Sequence, residues 1–357
     1  MADTTETTSN VTYTPGKQIS TASNWMRKYR VRIYKHTKPT TGAQSAQTYY
    51  QNFTTENASD TVLDVSNLRV IFNVKRNALY YPNQALITIY NLNAATENSI
   101  IQEGYRVVLE AGYSSGNYGQ IFDGTVLMCN RFKQDATDYI LNILAIDGQQ
   151  FINEGYCSFT FAKGQTVRQV VKNICDKASN PIQLGYASPS LDSIKLSKGI
   201  ADSGSVKTTL ADIARTINGT WYVDGGKLYM IAYSDSAAKL PGGLKQAVEL
   251  NPKTGLLGNP QQVDYGVTAR CLINPKLAPY GLIHIASEYI TEQMVTIGTQ
   301  SQGISTPYML DSDGTYRVCS VNFCGDTRGN DWYAEVVAVG QGGDMMSMLM
   351  QNGYTAN

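Results

Sequence analysis

YGQIFDGTVLMCNRFKQ (residues 118–134) and DYILNILAIDG (residues 138–148) stand three residues apart, and their reading decides the fold. They read as two long antiparallel strands joined by a polar turn. The same pattern extends upstream. Leu68, Val70, Phe72 and Val74 share one face, with Arg69, Asn73 and Lys75 opposite, which is the period of a half-buried strand. QALITIYNLN, YRVVLEAGY and, near the start, YRVRIYKH read as further strands. Residues 94–104, AATENSIIQEG, read as a short helix that Gly104 stops. Residues 37–59 are a polar stretch that reads as a long loop.

After residue 150 the period changes. Val167, Val170, Val171, Ile174 and Cys175 recur at helical spacing behind Thr166, an N-cap residue by type. Val206, Leu210, Ile213, Ala214 and Ile217 repeat that spacing after Ser205, and Gly219 is the expected stop. TWYV, the turn DGG and KLYMIA then predict a hairpin. From Gln246 alternation resumes: Tyr265, Val267, Ala269, Cys271 and Ile273 fall on one face, and GLIHIASEYI, YRVCSVNF and DWYAEVVAVG supply more strands. The expected fold class is therefore β-rich α+β, with two antiparallel barrel or sandwich domains and a small α/β insertion. The expected bounds are a flexible arm at 1–24, a β domain at 25–150, the insertion at 151–244, a second β domain at 245–342 and a tail at 343–357.

Composition narrows the function. The 29 basic and 29 acidic residues of this 357-residue chain cancel, which gives no global field to attract nucleic acid. Only 16 % of residues are charged, while Tyr, at 24, far outnumbers Phe and Trp, so the surface reads as one that other proteins cover. The six cysteines are scattered without a CxxC pair and read as reduced thiols. The polar N-terminus lacks the basic start and apolar run of a secretory signal, and no apolar run approaches about 18 residues. Synthesis in a cytoplasm is the expectation.

Catalytic chemistry is hard to place. Of the two histidines, His36 ends a strand and His284 lies inside one; a zinc site of His284 with Cys319 or Cys324 lacks a second ligand pair, so a structural histidine is favoured. No G-x-S-x-G occurs, and GGDMM, DGGK and GNYGQ match no phosphate-binding fingerprint. Glu154, Asp224 and Asp264 are carboxylates that could in principle pair, with no spacing to single them out. DSDGTY, from Asp311, has too few ligands for a calcium loop and reads as a turn. The N-x-S/T sequons at Asn10, Asn52, Asn57 and Asn218 read as chance in an Asn- and Thr-rich chain. No catalytic, metal or cofactor-binding residue is assigned, and no cofactor is expected. The candidate partner-interface residues are Leu256 and Leu257 together with Met345, Met346, Met348, Leu349 and Met350, the last five forming an apolar run that reads equally as a final helix or as an adaptable partner patch.

ALITIYNLN, IIQEGYRVVLEAGY, QIFDGTVL and DYILNILAIDG, in that order, resemble the first β domain of baseplate hub proteins of contractile-tailed bacteriophages. KGQTVRQVVKNI, TTLADIARTINGTWYVDGGKLYMI and NPKTGLLGNPQQVDYGVTARCLINPKLAPYGLIHI resemble the insertion and return strand of that family, and CSVNFCGDTRGNDWYAEVVAVG its closing hairpin. The resemblance spans about residues 30 to 340 and implies two tube-type β domains per subunit. It also implies a homotrimer that forms a ring of six similar units and joins a sixfold tail tube to a threefold spike. The implied partners are further copies of the chain, tail tube or tube-initiator proteins, a spike protein, and wedge and tape-measure proteins. DNA would pass through a weakly charged or mildly acidic channel without specific binding, and the protein would reside in the virion baseplate after synthesis in the host bacterial cytoplasm. Some relatives carry a fused spike or lytic domain; this sequence ends soon after its second β region, so both are expected to be separate proteins. A tail-associated wall-degrading enzyme and a wall-binding module are the alternatives.

Overall fold

The computed structural model describes residues 26–34, 62–79, 81–93, 104–233, 247–263, 266–291 and 314–340. Outside them lie the expected arm at 1–24, the loop at 37–59, the helix at 94–104 apart from Gly104, and the tail at 343–357. His36, Asp264, Tyr265, residues 311–313 of DSDGTY and the sequons at Asn10, Asn52 and Asn57 fall outside as well.

The first β region supplies β1 (Arg27–Tyr34), β2 (Val62–Asp64), β3 (Val70–Asn77), β4 (Gln84–Tyr90), β5 (Arg106–Tyr113), β6 (Tyr118–Lys133) and β7 (Tyr139–Ile146). The insertion holds α1 (Gln149–Asn153), β8 (Tyr156–Phe161), α2 (Val167–Lys177), β9 (Gln183–Ala187), β10 (Ile200–Ser205), α3 (Val206–Thr216), β11 (Gly219–Asp224) and β12 (Lys227–Ala232). The second β region adds β13 (Val248–Glu249), β14 (Leu256–Val263), β15 (Gly266–Cys271), β16 (Leu282–His284), β17 (Thr315–Asp326) and β18 (Trp332–Val339). The fold is β-rich α+β with a large antiparallel sheet, as the alternation predicted.

The two β regions share one 13-stranded sheet, in the order β14-β15-β18-β17-β3-β4-β7-β6-β5-β1-β2, with β16 attached to β17 and β13 to β16. The seam is the antiparallel pair β3–β17, in register from Ser320 opposite Asn77 to Asp326 opposite Ile71. Alternation puts Val70, Phe72 and Val74 of β3, Ile87 and Ile89 of β4, Val321 and Phe323 of β17 and Ala334 and Val336 of β18 into one apolar core. The sheet curls, so that β1 returns to the β17–β18 hairpin. Tyr29 and Phe72 both meet Trp332 edge-on, at ring-centroid distances of 6.3 Å and 5.4 Å. Arg27 donates to the carbonyls of Asp326, Gly329 and Asn330 in the turn of that hairpin. Gly325 makes the close approach possible, because a Cβ there would sit 2.3 Å from the Phe72 ring.

The insertion has its own core, in which Val167, Val170, Val171, Ile174 and Cys175 of α2 meet Val206, Leu210 and Ala214 of α3. Thr166 caps α2 in a complete capping box with Gln169. Gly219 does not stop α3: the chain leaves the helix through Asn218, at φ 48°, and Gly219 opens β11, where a Cβ would lie 2.2 Å from the Ile231 carbonyl oxygen. The polar side chain of Asn tolerates the left-handed conformation, which frees the glycine for a tight strand pairing. The β11–β12 turn is Gly225-Gly226, both at positive φ, the backbone that a two-residue hairpin with a type I′ turn requires. None of the six cysteines is in a disulfide, and only Cys129 and Cys324 are not fully buried.

Candidate functional site

The face of the sheet turned away from the core is the candidate functional surface. Register fixes what it carries. One cross-strand row runs Arg270, Glu335, Asn322, Lys75 and Gln84, and the next runs Tyr333, Cys324, Asn73, Leu86, Leu144 and Met128. A third joins Asp326, Ile71, Thr88, Asn142 and Asn130. From β14 across β15, β18, β17 and β3 to the start of β4 this face forms an open concavity of about 710 Å³ lined by Lys75, Gln84, Thr268, Arg270, Asn322 and Glu335, among others. Its guanidiniums are neutralised locally. Arg270 meets Glu335 at 2.7 Å and lies over the Tyr333 ring, and Arg69 meets Asp326 at 2.7 Å and lies over Tyr90. Burial opposes the ionised form of Asp326, yet the Arg69 guanidinium and the amides of Arg328 and Gly329 hold its carboxyl below the usual range. Amides and hydroxyls predominate on this half, with little net charge. Over β4, β7 and β6 the same face turns apolar, with Leu86 47 % and Met128 44 % exposed on either side of Leu144.

Two local edges bound this surface. Pairing of β5 with β6 ends at Arg106 opposite Thr125, so among the described residues the distal part of β6 pairs with β7 alone. At the other end β14 pairs with β15 and is irregular between Leu257 and Gln261, where Gly258 and Pro260 interrupt the ladder, while Thr291 bonds Pro260 and Gln262 on its far side and leaves the Leu257–Asn259 stretch as the local edge.

A second polar assembly joins the sheet to the insertion. Arg76, on β3, donates to both carboxylate oxygens of Asp224, at 3.1 and 2.7 Å, and to the Leu277 carbonyl. It therefore ties the first β region, the insertion and the second β region together. Asn83 donates to the Val223 carbonyl and to Asp224, and its own oxygen accepts from Asn77 N–H. Asp147, just beyond β7, accepts from the amides of Gly225 and Gly226. Burial, then Asp224 and Asp123, push the Asp147 carboxyl well above its ordinary value. Beside this junction Tyr222 stacks on Tyr229 and donates to the Pro279 carbonyl.

The residues singled out in the sequence fall apart in space. Asp224 is the buried partner of Arg76, whereas Glu154 is exposed at the end of α1, so they form no carboxylate pair. His284 shares a hydrogen bond with Glu249 at 2.9 Å, and no group of three metal-ligating side chains occurs among the described residues. Leu256 packs in the main core, while Leu257 is 36 % exposed at the β14 edge. Met345, Met346, Met348, Leu349 and Met350 lie outside the described residues. Sequence reasoning passed over Arg76, Asn83 and Asp147, whose only local signal is a polar residue at or beyond the end of an apolar strand.

The family model described as Baseplate hub gp41 matches residues 51–290, two thirds of the chain. The chain belongs to the baseplate hub gp41 family. This hub family is one of structural proteins, which makes the chain a structural component of a bacteriophage tail baseplate. No curated protein matches it in sequence. Among solved structures it is similar to the 43 kDa tail protein of prophage MuSo2 from Shewanella oneidensis, at 10 % identity and TM-score 0.48 over 79 % of this chain and 94 % of that one. A tail protein from Neisseria meningitidis MC58 aligns at 9 % identity and TM-score 0.48, covering 91 % and 99 %. The E. coli c3393 protein, described as a type VI secretion component with structural similarity to T4 tail proteins gp27 and gp5, aligns at 10 % identity and TM-score 0.47, covering 76 % and 73 %. No helix among the described residues of this hub protein is long and apolar enough to cross a membrane.

Proposed function

We propose that the protein is the central hub of a contractile-tail baseplate, a homotrimeric ring that joins the sixfold tail tube to the threefold spike and surrounds the channel through which DNA leaves. The observation that carries this reading is the outward sheet face. Counted from the β3–β17 seam, β3-β4-β7-β6-β5-β1-β2 of the first β region run to one side and β17-β18-β15-β14 of the second to the other. Two β regions, each a run of sequence-local antiparallel strands joined at one seam, support two tube-type β domains in one chain. Two unlike local edges, the distal part of β6 beyond its pairing with β5 and the Leu257–Asn259 stretch of β14, can meet head to tail in a closed ring. Amide and hydroxyl groups on one half of the face, with Arg270 and Arg69 paired to carboxylates, and apolar groups on the other half leave little net charge, which suits a conduit, since a basic lining would grip phosphates and release counterions.

In this reading Leu257 and Met345, Met346, Met348, Leu349 and Met350 are candidate contacts to neighbouring subunits, to tube or tube-initiator proteins, to the spike, or to wedge and tape-measure proteins. The protein is made in the host cytoplasm, works within the virion and catalyses nothing. The mass of the purified protein in solution tests the assembly, with negative-stain imaging of baseplates and a duplex-DNA binding assay at low salt. Trimers, threefold rings on the tail axis and weak DNA binding are expected. A persistent monomer, a peripheral position in the baseplate or tight DNA binding overturns the reading.

A further inference from the structure

The outward face of the sheet carries an apolar patch in water. Leu86 on β4 and Met128 on β6 are exposed, with Leu144 of β7 between them in one cross-strand row. The patch is not isolated. Gln84, one outward-facing position before Leu86, lines the concavity of about 710 Å³ that also takes in Lys75, Asn322 and Val337. Concavity and patch form one continuous trough, polar along β17 and β3 and apolar from Leu86 to Met128. Val337 lies at its polar end, and three residues later, at Gly340, the described chain leaves β18.

The residues that follow repeat the order of the trough. Gln341, Gly342, Gly343 and Asp344 are small or polar, and Met345, Met346, Met348, Leu349 and Met350 are apolar. Reach agrees. Leu86 shares a row with Tyr333, so it lies three strands across from β18 and seven residues back from Gly340. At about 4.8 Å per strand and 3.3 Å per residue that is roughly 27 Å, and ten extended residues from Gly340 to Met350 span about 33 Å. Charge agrees as well. Arg270 and Arg69 on this face are matched by Glu335 and Asp326, but Lys75 has no carboxylate partner among the described residues. A segment crossing from Val337 to Leu86 passes Lys75, and the acid it carries is Asp344.

We propose that in the unassembled protein residues 341–350 cross this trough on their own chain, with Asp344 beside Lys75 and Met348 to Met350 over Leu86 and Leu144. Methionine suits the place, because an unbranched, polarizable side chain adapts to an irregular surface. The cover takes the patch out of water before the chain meets its partners. It belongs to a single chain and does not depend on the trimeric hub reading.

A photoreactive benzoyl group placed at Leu86 of the full-length protein tests the cover. Digestion and mass spectrometry identify what it links to, and a mixture of isotope-labelled and unlabelled chains separates a chain's own tail from a neighbour's. Linkage to residues 345–350 of the same chain is expected. Linkage only to a neighbour's tail, only to residues 94–103 or 292–313, or to no part of the tail overturns the proposal. Lys75→Glu should lower the yield about two- to fivefold, the range of an exposed ion pair, and Asp344→Lys should restore it in that background. An unchanged yield in Lys75→Glu, or no restoration, also overturns it. Binding of the dye ANS needs no group at Leu86. Met348→Gln, Leu349→Gln and Met350→Gln together should raise its fluorescence about threefold by baring the patch, and Leu86→Gln should reverse that rise. Unchanged dye binding in the triple variant refutes the cover.

Discussion

Replacing Arg76 by Ala is the sharpest test of how the three parts of the chain are joined. Arg76 is 8 % exposed, and its removal takes away both hydrogen bonds to Asp224 and the one to the Leu277 carbonyl. Asp224 stays mostly buried, keeps only Asn83 as a side-chain donor, and still faces Asp147. Breaking a buried pair from one side costs about 3–5 kcal/mol, because the surviving charge loses its partner without regaining water. With a urea dependence of about 2–3 kcal/mol per molar, the midpoint should fall by roughly 1–2 M. The loss should not be shared evenly. Trp221 lies in the insertion on β11 and Trp332 in the sheet core on β18, so fluorescence from variants that retain one or the other follows the two parts separately. In Arg76→Ala the Trp221 transition should precede that of Trp332, whereas the parent should unfold in one step. Arg76→Lys should recover less than half of the loss, since an ammonium cannot make the two-pronged contact. A cost below about 1 kcal/mol, the range of exposed ion pairs, with coincident transitions would refute the reasoning.

Thr166→Ala removes the capping box of α2 and should destabilise the insertion by about 1 kcal/mol, measurable as earlier loss of the Trp221 signal in urea. Gly325→Ala drives a methyl into the Phe72 ring and should cost about 1–3 kcal/mol, seen as a lower Trp332 transition with little change in Trp221. Asp326 is held below the ordinary carboxylate range in the folded protein. Its contribution is therefore present above that range and disappears as pH falls through its lowered value, so Asp326→Asn should flatten the acid side of a melting-temperature profile.

The elements themselves were legible in the sequence. Period two in Val70, Phe72 and Val74 and in Val267, Ala269 and Cys271 marks strands because one face of a sheet must leave water, and the spacing of Val167, Val170, Val171 and Ile174 marks a helix for the same reason. Gly225-Gly226 announced its turn through the backbone it permits. The hub resemblance was legible as an order of such segments. What the sequence could not contain is which strand lies beside which. The β3–β17 seam joins residues about 250 positions apart, and only that pairing places Asn322 beside Lys75 and makes one face of two β regions. The junction is further from reach, because Arg76, Asp147 and Asp224 are each an ordinary charged residue at or near the end of a strand. Their meaning arises when tertiary packing removes water from all three and leaves Arg76 with Asp224, and Asp147 with two glycine amides. The cost of burying a charge depends on what surrounds it in space, and no local pattern records that.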